Sequence, residues 1–468
     1  MSTYKLSKNQ EFHYLNRGSR FLSLLYSFDS ELEIDRLKDA CVKAIQSVEL
    51  LNYKLVDVSA TFPLQSKGTE EVNIDVTFDN EFTIEKFYRS IDNNDNQINL
   101  YQHKPLALSL IKSDRIYLIL KVSCVFFDNY SANRFVQRIA DIYYNHDIQF
   151  EEEIDYFSYS EWQNEILAEE AADENYYHLR LREKGSDCIN SLTDITGFPE
   201  TKIHVEDIWI GDKKQFTQDQ IAAVTLKFIG NYIRDKKISV GLIPYHRNHE
   251  ILNETLGLIN TSLPVFYSPE ECPNLEDITA LLNEAATNRD SFNYTLLSSV
   301  FDKVQLTFLE VQNSLSNHES GARFEAFVPE NEIRDLNLVF IVSDQYIRIQ
   351  AILPLEHNNE MSMLFIDQFR NYFEIFSSSG KTDLVATSKQ IEYYQNMDLD
   401  NIEQSYKSFK NPKDALLYAG ELAKANRKAI AERTLLADNV GSMAQKAINL
   451  GATKEQVVAA DNSISMKI

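Results

Sequence analysis

The chain has 468 residues, 44% hydrophobic and 25% charged, a composition typical of a folded globular protein of one to three domains. Its net charge of −24 argues against nucleic acid or an anionic membrane as the main partner, because both require a basic surface. Because the sequence shows neither a signal-peptide core nor an apolar run near 18 residues, we expect a cytoplasmic protein.

The four cysteines are far apart in the sequence and form no C-x-x-C pair. This spacing predicts neither a disulfide framework nor a thiolate metal site. They are Cys41, Cys124, Cys188 and Cys272.

The first half of the chain predicts alternating helices and strands. Residues 30–46 have the pattern of an amphipathic helix, with Asp29 or Ser30 as its cap. Strands are expected in INLYQHKPLALSLI and RIYLILKVSCVF, followed by a helix that Ser131 caps. An acidic helical stretch is expected over residues 151–183.

The second half begins after an expected loop at 184–202. A strand in KIHVEDIWI precedes a helix that Thr217 caps, and a strand in ISVGLIPY follows. From residue 344 the order strand, loop, Ser362, helix repeats that of residues 115–144. The pattern predicts an α/β protein with two similar lobes, 1–183 and 184–400.

Residues 401–468 differ in composition from the rest. They contain 12 alanines and 10 basic against 7 acidic side chains, so their net charge is +3 and residues 1–400 carry −27. Asn411 and Pro412 fit the cap and first position of a helix. We expect an appended helical tail that docks to a partner or packs on the lobes.

The stretch SCVFFDNYS, from Ser123 to Ser131, resembles the signature of nonribosomal peptide synthetase condensation domains: His-His, three residues, Asp-Gly, one residue, Ser. The resemblance implies a V-shaped pseudo-dimer of two chloramphenicol-acetyltransferase-like lobes. A tunnel between the lobes would receive thioesters on phosphopantetheine arms of carrier proteins. No bound cofactor is expected beyond such tethered substrates.

Further segments match the family in its order of motifs, from residue 4 to about 400. They are YKLSKNQEFHYL, SVELLNYKL, SYSEWQNEIL and GLIPYHRNHEILNETLGLINTSLPVF. In the last segment, Arg247 and Asn248 match the family's Arg-Asn pair, and Asn260 matches its later Asn. With Asn52, these residues are candidates for the tunnel or an interface.

The signature departs from the family at the residue that the chemistry uses. Ser123 and Cys124 replace the two histidines, and the second histidine is the one assigned to general-base or positioning work. Imidazole titrates near neutrality, whereas a thiol does not. A small buried residue is the favoured interpretation of Cys124. A covalent acyl-cysteine would need a histidine, for which His246 and His249 are the candidates.

The remaining signature positions suggest that the loop keeps its shape. In the family, Asp128 is structural and pairs with an arginine, but Asn52 occupies that arginine's place and Arg247 is a possible substitute. We expect Asp128 to cap the following helix or to be solvated. Asn129 replaces glycine and is the residue that best tolerates positive φ, and Ser131 is unchanged.

Two other motifs permit a functional interpretation. The cluster from His246 to Glu250 could suggest a metal, but its spacing and lack of further ligands favour a polar loop. Ser442, at an expected helix start, could suggest a carrier's attachment serine, but helix capping is the commoner role. No metal site and no nucleotide-binding motif is predicted.

Three hypotheses remain open. The chain could be a condensation-like protein without the histidine base that binds a carrier protein or a biosynthetic enzyme. It could instead be an active acyltransferase that works by positioning its substrates. It could also be a structural or regulatory protein that retains the fold.

Overall fold

A computed structural model describes most of the chain up to residue 382. The described residues are 3–17, 20–56, 62–68, 74–91, 98–145, 148, 150, 154–169, 176–177, 179–180, 188–189, 203–233, 237–244, 247–292, 304–311, 323–328, 336–343, 345–354, 360–380 and 382. The predicted tail 401–468, with Ser442, lies outside them, as do His246 and most of the expected loop 184–202.

Helices and strands alternate along the described chain, as the sequence predicts for an α/β protein. The helices are α1 (Lys8–Arg17), α2 (Ile34–Ser47), α3 (Ile84–Ile91), α4 (Asn129–Tyr144), α5 (Tyr156–Glu169), α6 (Gln218–Ile233), α7 (Leu275–Thr287) and α8 (Glu360–Ser379). The strands are β1 (Thr3–Tyr4), β2 (Phe21–Phe28), β3 (Tyr53–Val56), β4 (Leu64–Lys67), β5 (Asp75–Phe78), β6 (Leu106–Lys112), β7 (Ile116–Ser123), β8 (Cys188–Ile189), β9 (Ile203–Asp212), β10 (Lys237–Ile243), β11 (Leu263–Tyr267), β12 (Val304–Glu310), β13 (Arg323–Val328), β14 (Leu336–Val342) and β15 (Tyr346–Pro354).

The first sheet has the strand order β13-β2-β7-β6-β5. Its centre is the antiparallel pair β2–β7, which runs from Phe21 opposite Ser123 to Phe28 opposite Ile116. Every residue of β2 is buried, and α2 and α4 cover one face of the sheet with Leu37 and Phe135. The register places the end of β7, where the signature begins, at one edge of this core.

The second sheet has the order β11-β10-β12-β14-β15-β9 and packs against α6, α7 and α8. Strand β14, in the middle of this sheet, is buried on both faces along its whole length. One face, with Leu306 and Phe340, contacts these helices. The opposite face contributes Leu309 and Ile341 to the core of the first sheet, so the two sheets share one apolar region.

One strand connects the two halves more closely than a division at residue 184 suggests. β13 comes from the second half of the sequence but pairs antiparallel with β2, with Arg323 opposite Ser27 and Val328 opposite Ser23. The predicted boundaries of the lobes remain a prediction. Below, "first lobe" means the first sheet with α2 and α4, and "second lobe" means the second sheet with its helices.

Several predicted helix starts are shifted. Helix α2 begins at Ile34, and the residue before it, Glu33, makes no side-chain cap. Asp29 and Ser30 lie outside the helix, because residues 29–32 form a turn in which Leu32 N donates to Asp29 O (3.2 Å). The prediction of Asp29 or Ser30 as cap is therefore wrong. Helix α8 begins at Glu360 rather than at Ser362.

The start of α6 agrees with the sequence. Thr217 Oγ1 accepts from Gln220 N at 3.2 Å, and Gln220 Oε1 accepts from Thr217 N at 3.0 Å. This reciprocal pair is a capping box, which satisfies two amides of the first turn. The predicted cap Thr217 is confirmed.

Candidate functional site

The signature begins in a tight turn at the end of β7. The Ser123 carbonyl accepts from the amides of Phe126 and Phe127, both at 3.0 Å, and Ser123 Oγ accepts from Val125 N at 3.2 Å. These bonds satisfy amides that have left the β ladder. Val125, Phe126 and Phe127 are at most 1% exposed, so the turn is anchored in the hydrophobic core of the first sheet, called the first core below.

Cys124 lies inside this turn and is 4% exposed. Its amide donates to Arg20 O at 3.1 Å, and its side chain belongs to the first core, as do Val122 and Val125. It takes part in no disulfide. The geometry is that of a small residue packed among apolar side chains, the environment that free cysteine commonly occupies.

Asp128 is the N-cap of α4 and also the acid of a buried ion pair. Its Oδ1 accepts from Ser131 N at 2.8 Å, as capping predicts. Arg247 donates from Nη1 to Oδ2 at 2.5 Å and from Nη2 to Oδ1 at 3.3 Å, and the side chains of Arg247 and Asp128 are 0% and 2% exposed. The alternative of a solvated carboxylate is wrong, because Arg247 replaces water as its partner.

Two backbone amides complete the environment of this carboxylate. Ile259 N and Asn260 N both donate to Oδ2 of Asp128, at 2.9 and 2.6 Å. A buried ion pair is stable only when its remaining lone pairs are satisfied, and here each carboxylate oxygen receives at least two donors. Asp128 therefore fixes the 247–260 segment against the start of α4.

Ser131 uses its full hydrogen-bonding capacity in the same network. Its Oγ donates to Gly257 O (2.8 Å) and accepts from Gly257 N (2.9 Å) and from Arg247 Nη2 (2.7 Å). A hydroxyl offers one donor and two acceptors, and all three are used. The prediction that Ser131 caps the helix is wrong, because Asp128 performs that role and Ser131 instead binds the 247–260 segment.

In the sequence, Gly257 has no indicated role beyond its place in the matched motif. A Cβ at this position would lie 2.0 Å from Cδ2 of Tyr156, so only glycine fits. Tyr156 is itself buried, and its hydroxyl donates to Leu258 O at 3.3 Å. The signal in the sequence is a single glycine between two leucines, which does not reveal the ring packed against it.

Asn129 is the first residue of α4 and is 4% exposed. Its backbone is helical, so the expected use of asparagine's tolerance for positive φ does not apply. Its side chain instead reaches the second sheet, where Nδ2 donates to Phe308 O. The sequence does not predict this contact between the lobes, because nothing near residue 129 indicates β12 as a neighbour.

Of the four tunnel or interface candidates, Arg247 and Asn260 adjoin the signature. Asn260 also donates from Nδ2 to Pro244 O at 3.0 Å. Asn52 instead caps the carboxyl end of α2, because its Nδ2 donates to the carbonyls of Ile45 (3.1 Å) and Val48 (3.0 Å). Asn248 donates to Asp290 Oδ2 at 2.7 Å.

The histidine cluster does not form a metal site among the described residues. His249 Nε2 lies 3.1 Å from Asp290 Oδ2, and its ring makes an edge contact with Trp162. No group of three or more His, Cys, Asp or Glu side chains could hold a metal in this part of the chain. The same residues contain no helix long and apolar enough to cross a membrane.

Neither a protein-family model nor a curated protein matches the sequence. Solved structures do match the fold. A doubly substituted starter condensation domain of rhizomide synthetase RzmA in complex with C8-CoA is 15% identical with a TM-score of 0.67, covering 81% of this chain and 95% of that one. The condensation domain of Monacolin K polyketide synthase MokA is 13% identical with a TM-score of 0.64, covering 81% and 98%.

The unsubstituted starter domain of RzmA gives a similar result. It is 13% identical with a TM-score of 0.63, and the match covers 82% of this chain and all (100%) of that chain. At these identities the likeness establishes the fold and nothing finer. The predicted fold class is confirmed: this chain has the fold of condensation domains.

Proposed function

We propose that this chain is a condensation-like protein that binds a carrier protein or a biosynthetic enzyme and lacks the histidine base. The observation that supports it is the contrast within one loop. Asp128, Arg247 and Ser131 form a buried hydrogen-bonded network, whereas Cys124 occupies the place that the sequence resemblance gives to the histidine base. The loop keeps its shape but has lost the group with a pKa suited to proton transfer.

The chemistry of Cys124 supports the same proposal. Only the thiolate accepts a proton or attacks a carbonyl, and apolar surroundings disfavour its formation. Val122 and Val125, on either side of Cys124, are both fully buried. His249, a partner considered for a covalent cysteine, contacts Asp290 and Trp162 instead.

The test measures binding and chemistry separately. The protein is titrated with a phosphopantetheinylated carrier protein bearing an acyl group, and then incubated with amine acceptors, with products followed by mass spectrometry. We expect saturable binding and no amide product. Robust product that Cys124→Ala abolishes, while Cys41→Ala leaves it intact, would contradict the proposal. Cys41 is the matched control because it is equally buried, in α2.

Acyl transfer by positioning is the second candidate. The five donors on Asp128 hold the turn rigidly, and well-oriented reactants alone can reach effective molarities of about 10⁵ M or more. In this case product forms in the same assay but is unaffected by Cys124→Ala. If Cys124→His creates activity in a protein that had none, the loop retains its catalytic geometry and the loss of the base is the reason for inactivity.

A further inference from the structure

Strand β12 of the second lobe has an edge that its neighbouring strand does not cover. β10 pairs with β12 from Gly241 opposite Gln305 to Ile243 opposite Thr307 and then ends, whereas β14 pairs with β12 as far as Glu310. The backbone groups at Phe308 and Glu310 are therefore beyond the reach of β10. An uncovered edge leaves carbonyl groups that need donors from elsewhere.

The register shows which way these carbonyls face. Val311 N donates to Val342 O at 2.7 Å, so the backbone at residue 311 faces β14. Successive residues of a strand direct their backbone groups to opposite sides. The carbonyls of Phe308 and Glu310 consequently face the side that β10 has left.

Two asparagines of α4 occupy that edge. Asn129 Nδ2 donates to Phe308 O, and Asn133 Nδ2 donates to Glu310 O at 2.6 Å. The asparagines are four residues apart and so lie on one face of the helix, as their acceptors, two residues apart, lie on one side of the strand. Both side chains are buried, at 4% and 7% exposure. They continue the hydrogen-bond ladder where β10 stops.

A tyrosine of the first lobe fixes the orientation of the second asparagine. Tyr26 on β2 donates its hydroxyl to Asn133 Oδ1, which leaves the amide group of Asn133 directed at Glu310. Burial raises the pKa of Tyr26, so its hydroxyl remains a neutral donor. Asn133 is thus bonded to the first sheet through its oxygen and to the second sheet through its nitrogen.

We propose that Asn129 and Asn133 form an interlobe clamp that holds the second sheet against α4 and keeps Cys124 inaccessible. The clamp is a property of this chain's own residues, since glycine, which the condensation signature carries at the place of Asn129, has no side-chain amide to donate. Cys124 lies in the turn that leads directly into α4, and Asp128 at the start of α4 is also joined to the 247–260 segment. We therefore expect loosening of α4 from the second sheet to expose Cys124. The inference does not depend on carrier binding.

The test compares variants that remove one donor each. Asn133→Asp keeps the shape and the acceptor for Tyr26 but places an oxygen against Glu310 O, and Asn129→Gly removes the other amide. Peptide-resolved iodoacetamide labelling reports the alkylation rate of Cys124, and small-angle X-ray scattering reports the radius of gyration. We expect the Cys124 rate to rise about tenfold per variant, the effect of losing about one net hydrogen bond, and the radius to increase.

Two internal controls separate opening of the lobes from unfolding. Cys41 lies in the first core and is 0% exposed, so its labelling rises only if that lobe unfolds. Asn337→Asp alters an asparagine of the second lobe that is equally buried and accepts from Thr307 within its own sheet. If Asn133→Asp unfolds the protein, Asn129→Gly decides the question. Unchanged Cys124 labelling and radius in the folded variants, relative to Asn337→Asp, would overturn the clamp.

Discussion

Asp128 and Arg247 form a two-pronged ion pair between the start of α4 and the segment that follows β10, with Nη1 of the arginine 2.5 Å from Oδ2 of the aspartate. Neither side chain is more than 2% exposed. The Arg247 guanidinium also lies over the ring of Tyr130, 4.5 Å from its centroid. Residues 119 positions apart are thereby joined at one buried point.

Breaking this ion pair should destabilise the protein strongly. Arg247→Met leaves the Asp128 carboxylate buried without its cation, for which we expect a loss of about 3–5 kcal/mol in the free energy of unfolding. Chemical denaturation measures the loss. The double variant with Asp128→Asn should be more stable than Arg247→Met alone, because it removes the uncompensated charge. A double variant that is less stable, with the two losses simply adding, would show that the pair is not coupled.

Gly257 should tolerate no side chain. Alanine would place its Cβ 2.0 Å from the Tyr156 ring, and we expect a loss of about 1–3 kcal/mol or more from overpacking. Tyr156→Leu in the Gly257→Ala background should restore part of the stability by removing the ring. Thermal or chemical denaturation of the single and double variants tests this.

Gly380 provides a control for the general cost of replacing glycine. It has a φ of +68°, and within the described residues, its chain neighbours and helix backbone aside, no atom lies within 4 Å of the place that a Cβ would take. Gly380→Ala therefore costs only the strain of the left-handed backbone conformation, about 1–2 kcal/mol. A loss at Gly257 that Tyr156→Leu does not relieve would contradict the steric explanation.

The sequence predicts those features that depend on local pattern. The cap of α6 at Thr217 follows from the local sequence and is found as predicted, although the reciprocal bond with Gln220 is not expected from it. The position of Asp128 as a helix cap also has a local signal. By contrast, its pairing with Arg247 is one of several alternatives in the sequence, because it joins segments whose proximity only the fold determines.

The contacts that cross between lobes are least accessible to prediction. Backbone preference is the only guide to Asn129 in the sequence, yet its side chain binds Phe308, 179 residues later in the chain. Resemblance places Asn52 near the signature, yet its amide ends α2 and its Oδ1 accepts from Lys104 at 3.1 Å. Asn129 thus satisfies a carbonyl that only tertiary packing brings near, whereas Asn52 satisfies local carbonyls at the end of α2.

Cys41 should make the protein less stable at alkaline pH. Full burial raises the pKa of its thiol from 9.0 to about 12, so the folded state holds the proton over a range in which the unfolded chain releases it. The stabilisation is complete below about pH 9 and is lost as the pH rises towards 12. Between pH 9 and 10 we expect a loss of about 1 kcal/mol that Cys41→Ala does not show. Urea denaturation at the two pH values measures the difference, and equal losses in both proteins would contradict the assignment.

Ser131 should act on stability rather than on chemistry, although it is, with Asp128, a signature residue that this chain keeps unchanged. Ser131→Ala leaves Gly257 N without its acceptor and Gly257 O with only the longer bond from Asp128 N (3.4 Å) inside a buried network, and we expect a loss of about 2–3 kcal/mol in the free energy of unfolding. Ser123→Ala is the matched control, because Ser123 Oγ accepts only the Val125 amide among the described contacts, and its loss should be nearer about 1 kcal/mol. Chemical denaturation of the two variants gives both values. A smaller loss at Ser131 than at Ser123 would show that the three bonds of Ser131 do not hold the 247–260 segment, and that the retention of this serine needs a chemical explanation.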